Sequence, residues 1–120
     1  MSMMVKLSVL LVACLHVLFM IMEMLLWNTP AGRRIFGLTR EVAQHTAVLA
    51  ANQGLYNGFL AAGLFWGLAD PVQHRGMIIF LLACVTVAGV FGGITAKRSI
   101  LWIQALPGLV ALGLVLYAGG

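Results

Sequence analysis

Charge is scarce in this chain. Only 8% of its 120 residues are charged, against about 25% in a soluble domain, and that shortage excludes a water-soluble globule. Cysteine is scarce too, with two in all. Cys14 and Cys84 both fall inside apolar stretches, where the plain reading is a small buried hydrophobe. There is no two-cysteine redox motif, no nucleotide-binding loop and no metal box. The spans carry no haem signature and no central lysine for a Schiff base. Proline occurs three times, at Pro30, Pro71 and Pro107. The first two punctuate connections, while the third sits within an apolar run, where it removes a backbone bond and kinks a helix.

Hydrophobic residues make up 62% of the chain. They gather in four stretches, Val5 to Trp27, Val42 to Ala69, Met77 to Ala96 and Ile100 to Ala118. Each is near or above the roughly 20 residues a helix needs to cross a bilayer. The expectation is all-α: an integral membrane four-helix bundle, one transmembrane domain over residues 1–120, with short connections. Leu11-Val12-Ala13-Cys14 imitates a lipoprotein cleavage box, but His16 through Trp27 continues apolar, so an uncleaved first span is expected.

The net charge of +4 lies in the connections, which argues against nucleic acid as a partner and for the lipid bilayer. The first and third connections hold Arg33, Arg34, Arg40, Lys97 and Arg98; the N-terminus and second connection hold Lys6 and Arg75. The positive-inside rule therefore puts connections one and three in the cytoplasm and both termini outside. Asn28-Thr29-Pro30-Ala31-Gly32 stops the first helix, Trp27 suits the interface, and Thr39 with Glu41 starts the second helix. That helix exceeds a span, so its first turns, with Gln44, His45 and Thr46, emerge into the headgroup zone or tilt. Lys97-Arg98-Ser99 joins helices three and four as a hairpin.

Against this apolar background a few polar residues stand out. Asn52, Gln53 and Asn57 lie in one span, and lipid offers an amide no hydrogen-bond partner. Glu23 lies in another span, seven residues after His16, and Gln104 in a third. Polar groups within a bilayer mark where such proteins work. At 1.5 Å per residue, Glu23 lies roughly 6 Å inside the end marked by Trp27, with His16 about 10 Å further on. Asn52 and Gln53 come to roughly 8–9 Å deep and Asn57 to roughly 15 Å. Gln104 falls near the depth of Glu23. Asn52, Gln53, Tyr56 and Asn57 fan across about 140° of their helix, enough to wall one cavity in the cytoplasmic half of the membrane. Gly54 with Gly58, and Gly89 with Gly93, are small-xxx-small pairs that let backbones approach. The rise between His16 and Glu23 argues against a metal shared by the two.

His16, Glu23-Met24-Leu25-Leu26-Trp27, Phe36-Gly37-Leu38 and Asn52-Gln53-Gly54-Leu55-Tyr56-Asn57-Gly58-Phe59-Leu60-Ala61-Ala62-Gly63-Leu64 together resemble the domain-of-unknown-function 1304 family. The resemblance covers the whole chain, and the helix-two motif is its most specific part. It implies a bacterial inner-membrane protein of four helices and groups Glu23, Trp27, Asn52, Gln53, Tyr56 and Asn57 as one constellation. It supplies no activity, catalytic residue or cofactor.

Three functions compete. In the first, a pocket between helices one, two and four binds or transports a small ligand, with Glu23 proton-sensitive, the amides orienting a polar or cationic group, and Trp27 and Tyr56 lending aromatic surface. In the second, the chain is a subunit or assembly factor, in a homodimer or with other membrane subunits, and Glu23 is a clasp. In the third, an intramembrane enzyme acts on a lipophilic substrate with Glu23 or His16 as acid–base group.

Overall fold

The computed structural model describes residues 1–118; Gly119 and Gly120, which the single-domain expectation also spans, lie outside the described residues. All regular structure among the described residues is helical. Helix α1 covers Met3–Met24, α2 Pro30–Phe36, α3 Arg40–Ala69, α4 Arg75–Thr95, and a π-helical turn, Leu101–Ala105, runs into α5, Leu106–Ala118. Three helices are long and apolar enough to cross a membrane: α1, α4 and the continuous π–α5 segment over Leu101–Ala118. At thirty residues, α3 is long enough, but its carboxamides and His45 make it more polar than those three.

The helix starts follow local chemistry. Ser2 Oγ accepts from the Val5 N–H at 3.3 Å, and Thr39 Oγ1 accepts from Val42 at 3.2 Å, so a hydroxyl satisfies an end donor of α1 and of α3. Helix α2 stands where sequence reasoning expects only a connection, which brings the helix count among the described residues to five. Thr29 caps it by accepting from Gly32 N–H at 3.1 Å, Pro30 occupies the first turn, and Gly37 ends it in the left-handed conformation at φ 66°. Proline at the start and glycine just past the end is the usual asymmetry of a helix.

The chain divides into two compact units, one contiguous, His16–Phe59, and one split, residues 1–15 with those from Leu60 onward. The split unit holds the dry core. Val5, Val9 and Val12 of α1 recur at helical spacing and are buried with Leu64, with Ile78, Leu82 and Val85 of α4, and with Ala111 and Val115 of α5. Glycine sets how closely α4 and the π–α5 segment approach. A Cβ on Gly89 would lie 2.7 Å from the backbone nitrogen of Ala105, and one on Gly93 would run into the Leu101 side chain.

The π turn deals with Pro107. That residue brings no N–H, and its ring clashes with the carbonyl of a regular α-turn. Widening the preceding turn, with Leu106 N–H bonded back to the Leu101 carbonyl, relieves the crowding that a tighter ladder would impose. Gln104 sits in that turn, and its Nε2 donates to the Val85 carbonyl of α4 at 3.2 Å.

Candidate functional site

The contiguous unit carries most of the polar candidates. It consists of the C-terminal part of α1, all of α2 and the first twenty residues of α3. Where α1 meets α3, the α3 surface is small. A Cβ on Gly54 would lie 2.7 Å from Met24 Cγ and 3.0 Å from Glu23 Cβ, and one on Gly58 would lie 2.6 Å from Met20 Sδ. Those two glycines let the α1 backbone approach. Asn57 lies between them and is only 7% exposed.

At that approach Asn57 Nδ2 donates to Glu23 Oε1 at 2.5 Å. The bond joins a carboxyl to a carboxamide across thirty-four residues of sequence. Glu23 is half-buried, and Oε2 makes no hydrogen bond among the described residues. The pair therefore keeps one carboxyl oxygen engaged by α3 and one available to a proton, a cation or a donor.

A second polar contact, which the sequence did not suggest, lies nearer the connection. Trp27 Nε1 donates to Thr46 Oγ1 at 3.0 Å, while Thr46 donates back to the Val42 carbonyl at 2.7 Å. The Trp27 ring also packs on Phe36 of α2 with centroids 4.7 Å apart. Trp27 thus holds α2 and the start of α3 together. Thr46 stands one turn after Val42, and only a position facing Trp27 could have flagged it.

A family model described as "Protein of unknown function (DUF1304)" matches residues 10–116. The chain belongs to that family. A relative described as "Uncharacterized protein YpaA", from Lactococcus lactis subsp. lactis (strain IL1403), is 27% identical over 108 residues, covering 88% of this chain and 89% of that protein. No solved structure matches the chain. Within the family match lie Glu23, Trp27, Asn57 and both packing glycines of α3, so the pair and its close approach belong to the region the family defines.

The remaining candidates separate. His16 is 1% exposed and meets the Phe19 ring edge-on with centroids 5.1 Å apart. Asn52, Gln53 and Tyr56 are exposed on α3; Asn52 and Tyr56 turn away from Asn57, Gln53 lies one turn before it, and Tyr56 packs edge-on against Phe59 with centroids 6.0 Å apart. Gln104 is engaged inside the split unit, so its polar group serves the α4–α5 hairpin. Helix α1 meets the strip of α3 that carries Gly54, Asn57 and Gly58, and the other three members of the fan lie outside that strip. A groove of about 500 Å³ lies elsewhere, on α4, lined by Phe80, Ala83, Cys84, Val87, Ala88 and Phe91. Its walls are apolar and hold none of the candidate polar residues.

Proposed function

We propose that the chain is a bacterial inner-membrane protein whose four long helices, α1, α3, α4 and the π–α5 segment, form one transmembrane bundle. Both termini face outward, and the connections holding Arg33, Arg34, Arg40, Lys97 and Arg98 face the cytoplasm, as the positive-inside rule requires. Its activity is to bind or move a small polar or cationic ligand in exchange for a proton at Glu23. Asn57 orients the carboxyl, and the Trp27 ring lends aromatic surface.

One observation carries this reading: the Glu23–Asn57 hydrogen bond uses a single carboxyl oxygen of a half-buried acid. A carboxyl kept only as a helix clasp gains most when all of its hydrogen-bonding capacity is met. The free oxygen is where a proton and a cation would compete. A second reading, a structural clasp within a subunit of a larger assembly, is favoured by the glycine approach at Gly54 and Gly58 beside the pair.

Glu23→Gln separates the two, because the amide oxygen of glutamine can still accept from Asn57 while no proton can leave. In lightly buffered detergent, the lipophilic cation tetraphenylphosphonium should release protons on binding to the wild-type protein and none with Glu23→Gln. Equal behaviour of the two proteins, with equal thermal stability, would leave the clasp as the correct account.

A further inference from the structure

Helix α3 has two faces. Its small face, with Ala43, Ala50, Gly54 and Asn57 buried, is the one that α1 uses at Gly54. The opposite face carries His45, Leu49, Asn52, Tyr56 and Phe59, all exposed. Leu49 is 72%, Tyr56 63% and Phe59 58% exposed. Their spacing is four, three, four and three residues, and at 100° per residue they fall within about 80° of one another. Alternating steps of three and four define the seam of a left-handed helix pair. The seam runs for two heptads, roughly 21 Å, and nothing among the described residues covers it.

We propose that this seam is a homodimer interface, in which α3 of one copy packs parallel to α3 of a second copy about a twofold axis. The inference rests on α3 crossing the bilayer, as proposed above. Lipid tails give a carboxamide no hydrogen bond, so Asn52 at the centre of the seam calls for a polar occupant. The same residue in a second copy is such an occupant, because each carboxamide brings both a donor and an acceptor. Across a twofold axis the two amides satisfy one another. None of the five seam residues is Asp, Glu, Lys or Arg, so like meets like without charge repulsion. A single polar seam residue also sets register, since any slip would leave both amides in hydrocarbon. Leu49, Tyr56 and Phe59 supply the packing on either side.

The test uses the full chain in native-like membranes, with Cys14→Ser and Cys84→Ser as background and a single cysteine returned at chosen positions. Oxidation should cross-link Leu49→Cys and Phe59→Cys efficiently, and Leu18→Cys, exposed on α1, weakly. Asn52→Ala should weaken dimerisation by about three- to twentyfold, and Asn52→Gln should recover most of the loss. A monomeric mass, equal cross-linking at Leu18→Cys, no effect of Asn52→Ala, or a lone chain carrying another molecule on the seam would each overturn the proposal. A water-soluble maleimide distinguishes the two ways to fail. Labelling of Phe59→Cys in intact membranes would remove the bilayer reading and the dimer with it. A cysteine that is neither labelled nor cross-linked would remove the dimer alone.

Discussion

The two compact units solve the same packing problem with different chemistry. In the split unit, α1, α4 and α5 contribute valine, leucine, isoleucine and alanine to a dry core, and its cross-helix polar bonds end on backbone carbonyls, Gln104 on Val85 and Arg75 on Val115. In the contiguous unit, bonds between distant elements run from side chain to side chain, Asn57 to Glu23 and Trp27 to Thr46. A carbonyl acceptor tolerates many substitutions on its own residue. A side-chain pair fails when either member changes. The contrast places chemically committed residues in one unit and interchangeable apolar ones in the other.

Matched substitutions at glycine should expose the sharpest difference. In the split unit, a Cβ on Gly89 meets the backbone of Ala105, which cannot move aside. Gly89→Ala should cost about 3 kcal/mol, the upper end of the overpacking range. In the contiguous unit, the same atom on Gly58 meets only the flexible Met20 sulfur, so Gly58→Ala should cost less than about 1 kcal/mol. Thermal melting of both variants in one detergent checks the ratio; equal losses would erase the distinction between the units.

Glu23→Leu should come next, at about 1–3 kcal/mol, because it leaves the Asn57 amide buried without its acceptor. Glu23→Gln should stay within about 1 kcal/mol of wild type by the same measurement. Gly37→Ala should cost about 1–2 kcal/mol, since alanine resists the positive φ that ends α2; faster protease cleavage between α2 and α3 would be its signature. Trp27→Phe and Thr46→Val should each cost about 1 kcal/mol. The double variant should cost little more than either, because both delete one bond.

Much of the fold follows from hydropathy and capping read along the chain. The four apolar stretches correspond to α1, α3, α4 and the π–α5 segment, with ends displaced by a few residues, and Thr39 caps α3 where its spacing with Glu41 indicates. Helix α2 is hidden because a seven-residue helix has no room for hydrophobic periodicity, although Thr29, Pro30 and Gly37 are its start and stop signals. The π turn is hidden for a related reason: Pro107 announces a disturbance but not the form the backbone takes to absorb it. Within the site, the depth count sets Glu23 nearest Asn52 and Gln53 and leaves Asn57 roughly 9 Å deeper. Yet Asn57 is the amide it meets, so neither depth nor facing on α3 is legible from the sequence. Only Asn57 shares the Gly54 and Gly58 face. Rotational facing depends on which partner helix arrives.

The continuity of the His16–Phe59 unit also has a consequence in time. Chains emerge from the ribosome N-terminus first, and units close as their residues become available. Every contact of this unit, including Glu23 with Asn57, joins residues synthesised by position 59, before any residue of α4 or α5. The split unit needs residues 1–15 together with α5, so it must wait for the last helix. During that interval the first valines of α1 have no partners from α4 or α5, whereas both members of the polar pair are already made.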